Sequence, residues 1–596
     1  MKLIPYSQVN LRSGYLFEKQ ELNTKVTVPA VYDRFYETGR ITAFKFGFPD
    51  KDPVQPHFFW DSDVAKWMEG VAYILRREPH PDLEAKVDEI VEDIRRNQGD
   101  DGYFNIFFTV VQPENRWKNR DWHELYCAGH LMEAAVAYAE ATGKTQFLTC
   151  MEKYADYIHR VFIEERSANF RTPGHEELEL ALIRLYRYTG KRKYLDMANH
   201  FLTIRGTVEE SCNNLYYQSH KPIREQTEVV GHAVRSMYLC TGLAYLAAET
   251  GEEELIKQVK ALWEDAVERK MYVTGGLGST FIGEAFTTPY DLPSDQAYTE
   301  TCAGIGLCFF SNGMLALDNN ARYADVIERA LYNGVTSGLS VGGDQFFYEN
   351  PLEINLSERY SNCFGSRRFP AHRRVACFGC SCCPPNMNRL LASLGGYVYG
   401  IEGDTLYVNQ FAASDMASDG MTARMDTDYP RDGKVTIAAQ GADRIAIRIP
   451  SWCDRFTLDQ PYTMENGYAV IQNPGGPVTV EFDLTPHCVW ADRRVLRTAG
   501  QAAVMRGPVV YCAEGVDNGE SQLHGYVLPE SIQATVEGSD AFGLPTLTVP
   551  CSKRVDDGAL YSNQPPKYES ATLKLIPYNA FANREETDMR VWFLTK

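Results

Sequence analysis

No stretch of the chain reaches the roughly 18 consecutive apolar residues that a membrane span needs. Its opening, MKLIPYSQVNLRSG, has neither an apolar signal region nor a small-residue cleavage site. The expectation is a cytoplasmic protein. Basic residues are also scarce: 60 Lys and Arg face 79 Asp and Glu, a formal charge of −19. Polyanion affinity comes largely from clustered cations, so this balance argues against nucleic acid or an anionic membrane as the main partner. Charged residues at 23% and hydrophobic ones at 44% exclude wholesale disorder, and 596 residues exceed what one core supports. Cysteine, by contrast, is plentiful at fifteen. In a reducing compartment most cysteines are small buried apolar residues, while clustered ones are candidate ligands or nucleophiles. Cys377, Cys380, Cys382 and Cys383 crowd together; the rest are scattered.

The first two thirds read as helical hairpins. HLMEAAVAYAEATGKTQFL, HEELELALIRLYRYTGKRKYL and GHAVRSMYLCTGLAYLAAETGEEEL each carry apolar residues at helical spacing and then break at a glycine: Thr142-Gly143-Lys144, Thr189-Gly190-Lys191 and Thr250-Gly251-Glu252. Such pairs must stack on neighbours, because none can bury its own apolar face. Closing them into a ring gives an α/α toroid with an inner helix layer and a central cavity; an open solenoid is the rival. From Gly403 onward, short alternating runs such as TLYVNQF, DRIAIRIPSW and PVTVEFDL lie between turn-forming clusters, which predicts antiparallel β-sandwiches. The expected division is a helical catalytic domain at 1–409, a β-sandwich at 410–515 and a second β-rich region at 516–596.

The sharpest constellation joins TETC (Thr299 to Cys302) with CSCCPPN (Cys380 to Asn386). Glu300, Cys302, Cys382 and Cys383 offer one carboxylate and three thiols, a set suited to a tetrahedral ion, above all zinc. Buried free thiols or a vicinal disulfide are the alternatives, and Cys380 or Cys377 can stand in as ligands. Pro384-Pro385 fits the first turn of a helix through NMNRLLASLGG, placing Cys382 and Cys383 at its N-terminus; Cys302 likewise precedes the apolar run AGIGLCFF. Helix N-termini and a cation both favour the thiolate. Upstream, Glu284 in GGLGSTFIGEAF is a loop carboxylate free to move a proton beside a metal-bound Glu300. His123, His175 and His232 each open a helix of the repeat, so in a toroid they face one mouth of the cavity and offer directional hydrogen bonds to hydroxyls. Tyr348, Glu124, Glu176 and Asp101 are weaker candidates.

These residues carry a resemblance. GGLG…GEAF, TETCA, CCPPN, PGHEELELAL and GHAVRSMYL, with RIPSW and MRGPVVY in the β region, resemble the β-L-arabinofuranosidases of glycoside hydrolase family 127 and their near relatives. The resemblance implies an (α/α)6 barrel followed by β-sandwich domains, and a retaining exo-acting hydrolase. It makes Cys382 the nucleophile and a zinc ligand, with Glu300, Cys302 and Cys383 as the other ligands. Glu284 becomes the general acid/base, and His123, His175, His232 and Tyr348 become sugar-binding residues. The implied substrate is a terminal β-L-arabinofuranoside of a plant-derived oligosaccharide. Relatives acting on a carboxylated sugar would need a basic residue in the pocket, for which Arg224, Arg367, Arg368, Arg373 and Arg374 are available. Two other classes compete: a toroid polysaccharide lyase using His and Tyr as acid and base, and a non-catalytic glycan-binding protein that zinc only staples. The β-rich C-terminus offers a surface for a homodimer.

Overall fold

The computed structural model describes all residues except 48–55, 209–212, 360–367, 520–521, 539–540 and 556–557. The helical part begins with α1 (Tyr15–Leu22) and α2 (Val28–Glu37). Five pairs follow: α3 (Trp60–Arg77) with α4 (Pro81–Asn97), α5 (Glu124–Thr142) with α6 (Gln146–His159), and α7 (Leu178–Thr189) with α8 (Arg192–Ile204). Then come α9 (Ala233–Thr250) with α10 (Glu253–Arg269), α11 (Thr301–Leu317) with α12 (Ala321–Ala330), and finally α13 (Cys383–Ala392). Helix α3 packs on α5, α5 on α7, α7 on α9, α9 on α11, α11 on α13, and α13 returns to α3. The ring is therefore closed, an (α/α)6 barrel and not an open solenoid.

Inner and outer helices differ as their positions require. Helix α9 is buried on nearly every face, whereas α10 buries one stripe, Leu255, Val259, Leu262, Trp263 and Ala266, and leaves its other face to solvent. Each large apolar side chain in such a stripe contributes about 1.5–3 kcal/mol. The repeated Thr-Gly break is a helix terminator. Gly143, Gly190 and Gly251 adopt φ of 74°, 70° and 65°, the left-handed conformation that lets the N–H close on the last turn. The preceding threonines donate to the carbonyls of Tyr138, Leu185 and Leu246 at 2.7, 2.7 and 2.9 Å. Among the described residues no helix is long and apolar enough to cross a membrane.

Two six-stranded sheets form the middle sandwich. Burial alternates along Met421–Thr427, as a sheet with one wet face demands. The chain's first strands belong here: Lys2–Leu3 pairs with Tyr399–Glu402, and Val9–Ser13 with Ala413–Ser418. A third sheet runs from His487–Val489 to Phe593–Thr595 and includes Gln501–Arg506 and Val509–Glu514. The boundary expected near 515 thus falls inside this sheet. Alternation has the same period in both β regions, so it marks strands without saying which sheet they join. The third sheet also reaches back to the barrel, since Glu353–Ile354 pairs with Met589–Arg590 and Tyr578 donates to Asn350 O at 2.9 Å. This braces the loop that carries Tyr348 and Glu349.

Candidate metal centre and cavity

Two neighbouring inner helices bring the donor pairs together at one end of the ring. Glu300 is the N-cap residue of α11, with Cys302 in its first turn; Cys382 is the N-cap of α13 and Cys383 its first residue. Pro384 and Pro385 occupy the first turn of α13, where their missing N–H groups leave no intrahelical bond unmade. Cys302 Sγ lies 3.3 Å from Cys383 Sγ and 3.7 Å from Cys382 Sγ, and the last two sulfurs are 3.6 Å apart. Glu300 Oε1 is 3.6 Å from Cys382 Sγ and 3.7 Å from Cys383 Sγ. These separations are far beyond a disulfide bond of about 2.05 Å. They match the edges of a tetrahedron: Zn–S bonds of about 2.3 Å give S···S edges near ~3.8 Å.

The electrostatics also call for a cation. Four acids at these distances cannot all ionise unaided. Burial and the neighbouring Cys382 push Glu300 well above the carboxylate range, and burial with hydrogen bonds to Cys302 and Cys382 raises the Cys383 thiol. Burial opposes ionisation of Cys302 as well, yet the thiols of Cys382 and Cys383 hydrogen-bond to it and bring it down to about 6. Glu300 Oε2 is buried without a hydrogen-bond partner among the described residues. The donor set therefore fits zinc in geometry, number and chemical type. Cys377 turns away, donating to Phe378 O and meeting Ser381 Oγ at 3.3 Å. Cys380 is exposed, 4.0 Å from Tyr348 OH, and outside the four-donor cluster.

A cavity of about 580 Å³ opens over this centre, lined by Cys302, Cys382, Glu300, Glu284, Tyr348 and the three histidines among others. Glu284 closes a short 3-10 turn at a positive φ of 51°. Its carboxylate accepts from His232 Nε2 and from Tyr298 OH, both at 2.7 Å, and lies within 4.8 Å of a Glu300 oxygen. Burial raises its pKa, but those two donors outweigh burial, and the net direction is down.

His232 is the N-cap of α9: its Nδ1 accepts from Val234 N–H at 3.2 Å and Arg235 N–H at 3.4 Å. Nδ1 is therefore unprotonated and Nε2 carries the proton given to Glu284. His123 Nδ1 donates to Asp121 O at 2.6 Å and His175 Nδ1 to Glu176 O at 3.0 Å, which leaves each Nε2 a lone-pair acceptor. The three rings form a row, with centroids 5.7 Å apart between His123 and His175 and 5.6 Å between His175 and His232. Burial, helped by Arg235, holds His123 at about 3 and His175 well below its usual value, so both are neutral at pH 7. His123 and His232 do sit at helix starts, whereas His175 lies in the bend before α7, which begins only at Leu178. Tyr348 OH is 3.5 Å from Cys382 Sγ.

The weaker acidic candidates are structural. Glu124 accepts from Tyr103 OH and Trp117 N, Glu176 pairs with Arg205, and Asp101 caps a turn at Tyr103 N. Of the arginines, Arg368 and Arg373 line the cavity, with Arg368 paired to Glu349 at 2.7 Å. Arg224 pairs with Glu252, Arg374 is buried against Ser337 O and Phe581 O, and Arg367 lies outside the described residues. Sequence reasoning missed Tyr298, Asp121, Arg235 and Tyr126, all on the cavity wall. Tyr298 lies two residues before Glu300 in the sequence, and that proximity was the available signal.

Residues 8–396 match the family model for the β-L-arabinofuranosidase GH127 catalytic domain, 405–477 its middle domain, and 485–594 the glycoside hydrolase family 127 C-terminal domain. A non-reducing end β-L-arabinofuranosidase of Bifidobacterium longum subsp. longum is 37% identical over 591 residues, covering 90% of this chain and 89% of the relative. Among solved structures, a GH127 β-L-arabinofuranosidase from Geobacillus stearothermophilus T6 has a TM-score of 0.93 at 37% identity, covering 99% of this chain and all of the other. A second GH127 β-arabinofuranosidase gives 0.91 at 33% identity, over 100% and 98% of the two chains.

Proposed function

The chain belongs to glycoside hydrolase family 127, and from that premise we propose that it is a retaining exo-hydrolase releasing terminal β-L-arabinofuranose, or a closely related sugar, from plant-derived glycans. One observation carries the reading. Cys382 is a member of the buried donor cluster and at the same time lines the cavity that Glu284 faces, and it is half-buried where Cys302 and Cys383 are 2% and 1% exposed. We assign Cys382 as nucleophile and Glu284 as acid/base, with His123, His175, His232 and Tyr348 holding the sugar.

When bound, zinc held by Glu300, Cys302, Cys382 and Cys383 would supply the positive charge that keeps three thiols ionised together. In the first displacement Glu284 gives its proton to the glycosidic oxygen while Cys382 Sγ attacks the anomeric carbon. In the second, Glu284 takes a proton from the water that displaces the sulfur, and two inversions give net retention. The resting Glu284, held down by His232 and Tyr298, is in the form the second step needs. A sugar filling the cavity strips water from this 32%-exposed carboxyl and raises it toward the protonated form the first step needs. The Nε2 atoms of His123 and His175 accept from sugar hydroxyls.

The thirteen described cysteines are all unpaired, which supports a reducing cytoplasmic site of action on small glycan fragments. The charge of −19 supports a neutral-glycan substrate over a polyanion, and the C-terminal sheet is the surface we assign to any homodimer. The test is hydrolysis of an aryl β-L-arabinofuranoside, with zinc content measured on the same samples. Cys382→Ser and Glu284→Gln should each abolish turnover, with zinc retained in Glu284→Gln. Full activity in either variant overturns the reading.

A further inference from the structure

Tyr216, Arg235 and Asp121 line the cavity but take no part in the reaction assigned above. They form a contiguous strip on the Glu284 side. A Cβ built on Gly283 would lie 3.3 Å from Tyr216 Cδ2, so the turn that carries Glu284 rests on the edge of that ring. The ring of His232, which donates to Glu284, is 5.7 Å away, and the His232 N–H donates to Tyr216 O at 3.4 Å. Arg235 Cζ covers one face of Tyr216, 4.5 Å from the ring centroid, and the residue is part-exposed all the same. Arg235 itself is buried; its Nη1 donates to Gly174 O at 2.8 Å and its Nη2 to Asp121 Oδ1 at 3.0 Å. Both nitrogens of the fork are thereby fixed, and with them the Asp121 carboxylate, whose side chain remains 47% exposed.

Position decides what such a strip can touch. The acid/base must reach the oxygen between the released sugar and its leaving group, whereas the nucleophile approaches the anomeric carbon from the opposite face. The leaving group therefore departs past Glu284, beside which stand Tyr216 and, beyond it, Asp121. An aromatic face takes the apolar C–H face of a sugar ring. A carboxylate only accepts, and it has room for hydroxyl donors besides one guanidinium N–H. The single cation of the strip is spent on Asp121 and Gly174 O, while Asp121 repels an acidic group. We propose that Tyr216 and Asp121 form the leaving-group subsite, which takes a second, neutral sugar residue. The ring is its platform, the carboxylate accepts from one of its hydroxyls, and Arg235 holds that carboxylate in place. The inference rests on Glu284 being the acid/base.

The experiment measures kcat/KM on a β-L-arabinofuranosyl disaccharide with a neutral second sugar and on methyl β-L-arabinofuranoside. The readout is the ratio of the two, which cancels any loss common to both. In Tyr216→Ala and in Asp121→Ala the ratio should fall about tenfold from the parent's, as one stacking contact or one hydrogen bond to a charged group is lost. Tyr216→Phe keeps the ring and should keep the ratio. The parent should also favour the neutral disaccharide by about tenfold in kcat/KM over one whose second sugar is a uronic acid. An unchanged ratio in either alanine variant, a fall as large in Tyr216→Phe, or equal use of the two disaccharides overturns the inference. Should Tyr216→Ala fail to fold, Tyr216→Leu carries the same comparison. Glu284→Gln should cleave none of the three substrates; turnover by that variant instead defeats the underlying functional reading, so the two failures are distinguishable.

Discussion

Replacing Arg389 with methionine should unpin the helix that carries Cys382 and Cys383. Arg389 sits two turns along α13 and is 3% exposed. Its Nη1 donates to Glu69 at 2.9 Å and Glu133 at 2.7 Å, its Nη2 to Tyr238 OH at 3.0 Å, and its Nε to Asn386 at 2.7 Å. Arg184 binds the other oxygens of the same two carboxylates at 2.7 and 2.6 Å. Two carboxylates thus share two guanidiniums, and the substitution leaves them one. Breaking a buried pair from one side costs about 3–5 kcal/mol. At about 2.1 cal/mol/K per residue, the roughly 390 residues of 8–396 lose about 0.8 kcal/mol per degree, so Tm should fall by about 4–6 °C.

The pH dependence gives a second reading of the same substitution. Burial works against ionisation of Glu133, but Arg184 and Arg389 hold it at about 2. A depressed carboxyl stabilises the fold above its unfolded pKa of about 4.3, and that contribution is lost as pH falls toward 2. Without Arg389 the depression shrinks, so the deficit should be greatest at pH 7 and smaller at pH 3, where the parent protein is itself losing this contribution. Scanning calorimetry at the two pH values checks this. A shift below about 1 °C, or one equal at both pH values, refutes the reasoning.

Tyr298→Phe removes one donor from the Glu284 carboxylate, so that carboxyl should rise and the alkaline limb of the kcat profile should move to higher pH; a limb that stays put or moves down shows that Tyr298 does not tune Glu284. Chelation should abolish hydrolysis and also lower Tm, because a cation bound between α11 and α13 clamps two neighbours of the ring. A ligand at about a thousand times its Kd contributes about 4 kcal/mol, and an unchanged Tm in metal-free protein would deny the clamp.

Much of this was legible from residue order, for identifiable reasons. The Thr-Gly breaks are local devices, and they mark the ends of α5, α7 and α9 as they stand. The four donors were legible because each pair lies within three residues and begins a helix. Ring closure was not, since it depends on the ten-residue α13 meeting α3 more than 300 positions earlier. The same distance hides the strands at Lys2–Leu3 and Val9–Ser13, whose partners lie near residues 400 and 415. The full burial of Lys66 on α3 was not legible, for another reason. In WDSDVAKWMEG a lysine reads as the solvated face of an amphipathic helix, but an inner helix of a closed barrel has no such face, so the ammonium is delivered into the core.

The central claim is that Cys382 attacks the sugar and Glu284 serves the water that follows. An aryl β-L-arabinofuranoside with a good leaving group needs no proton for the first step but does need Glu284 for the second. Incubated with it, Glu284→Gln should stall as a covalent pentosyl enzyme, and peptide mapping should place the sugar on Cys382. A sugar on any other residue, or no adduct while the sugar is still released, would contradict the account.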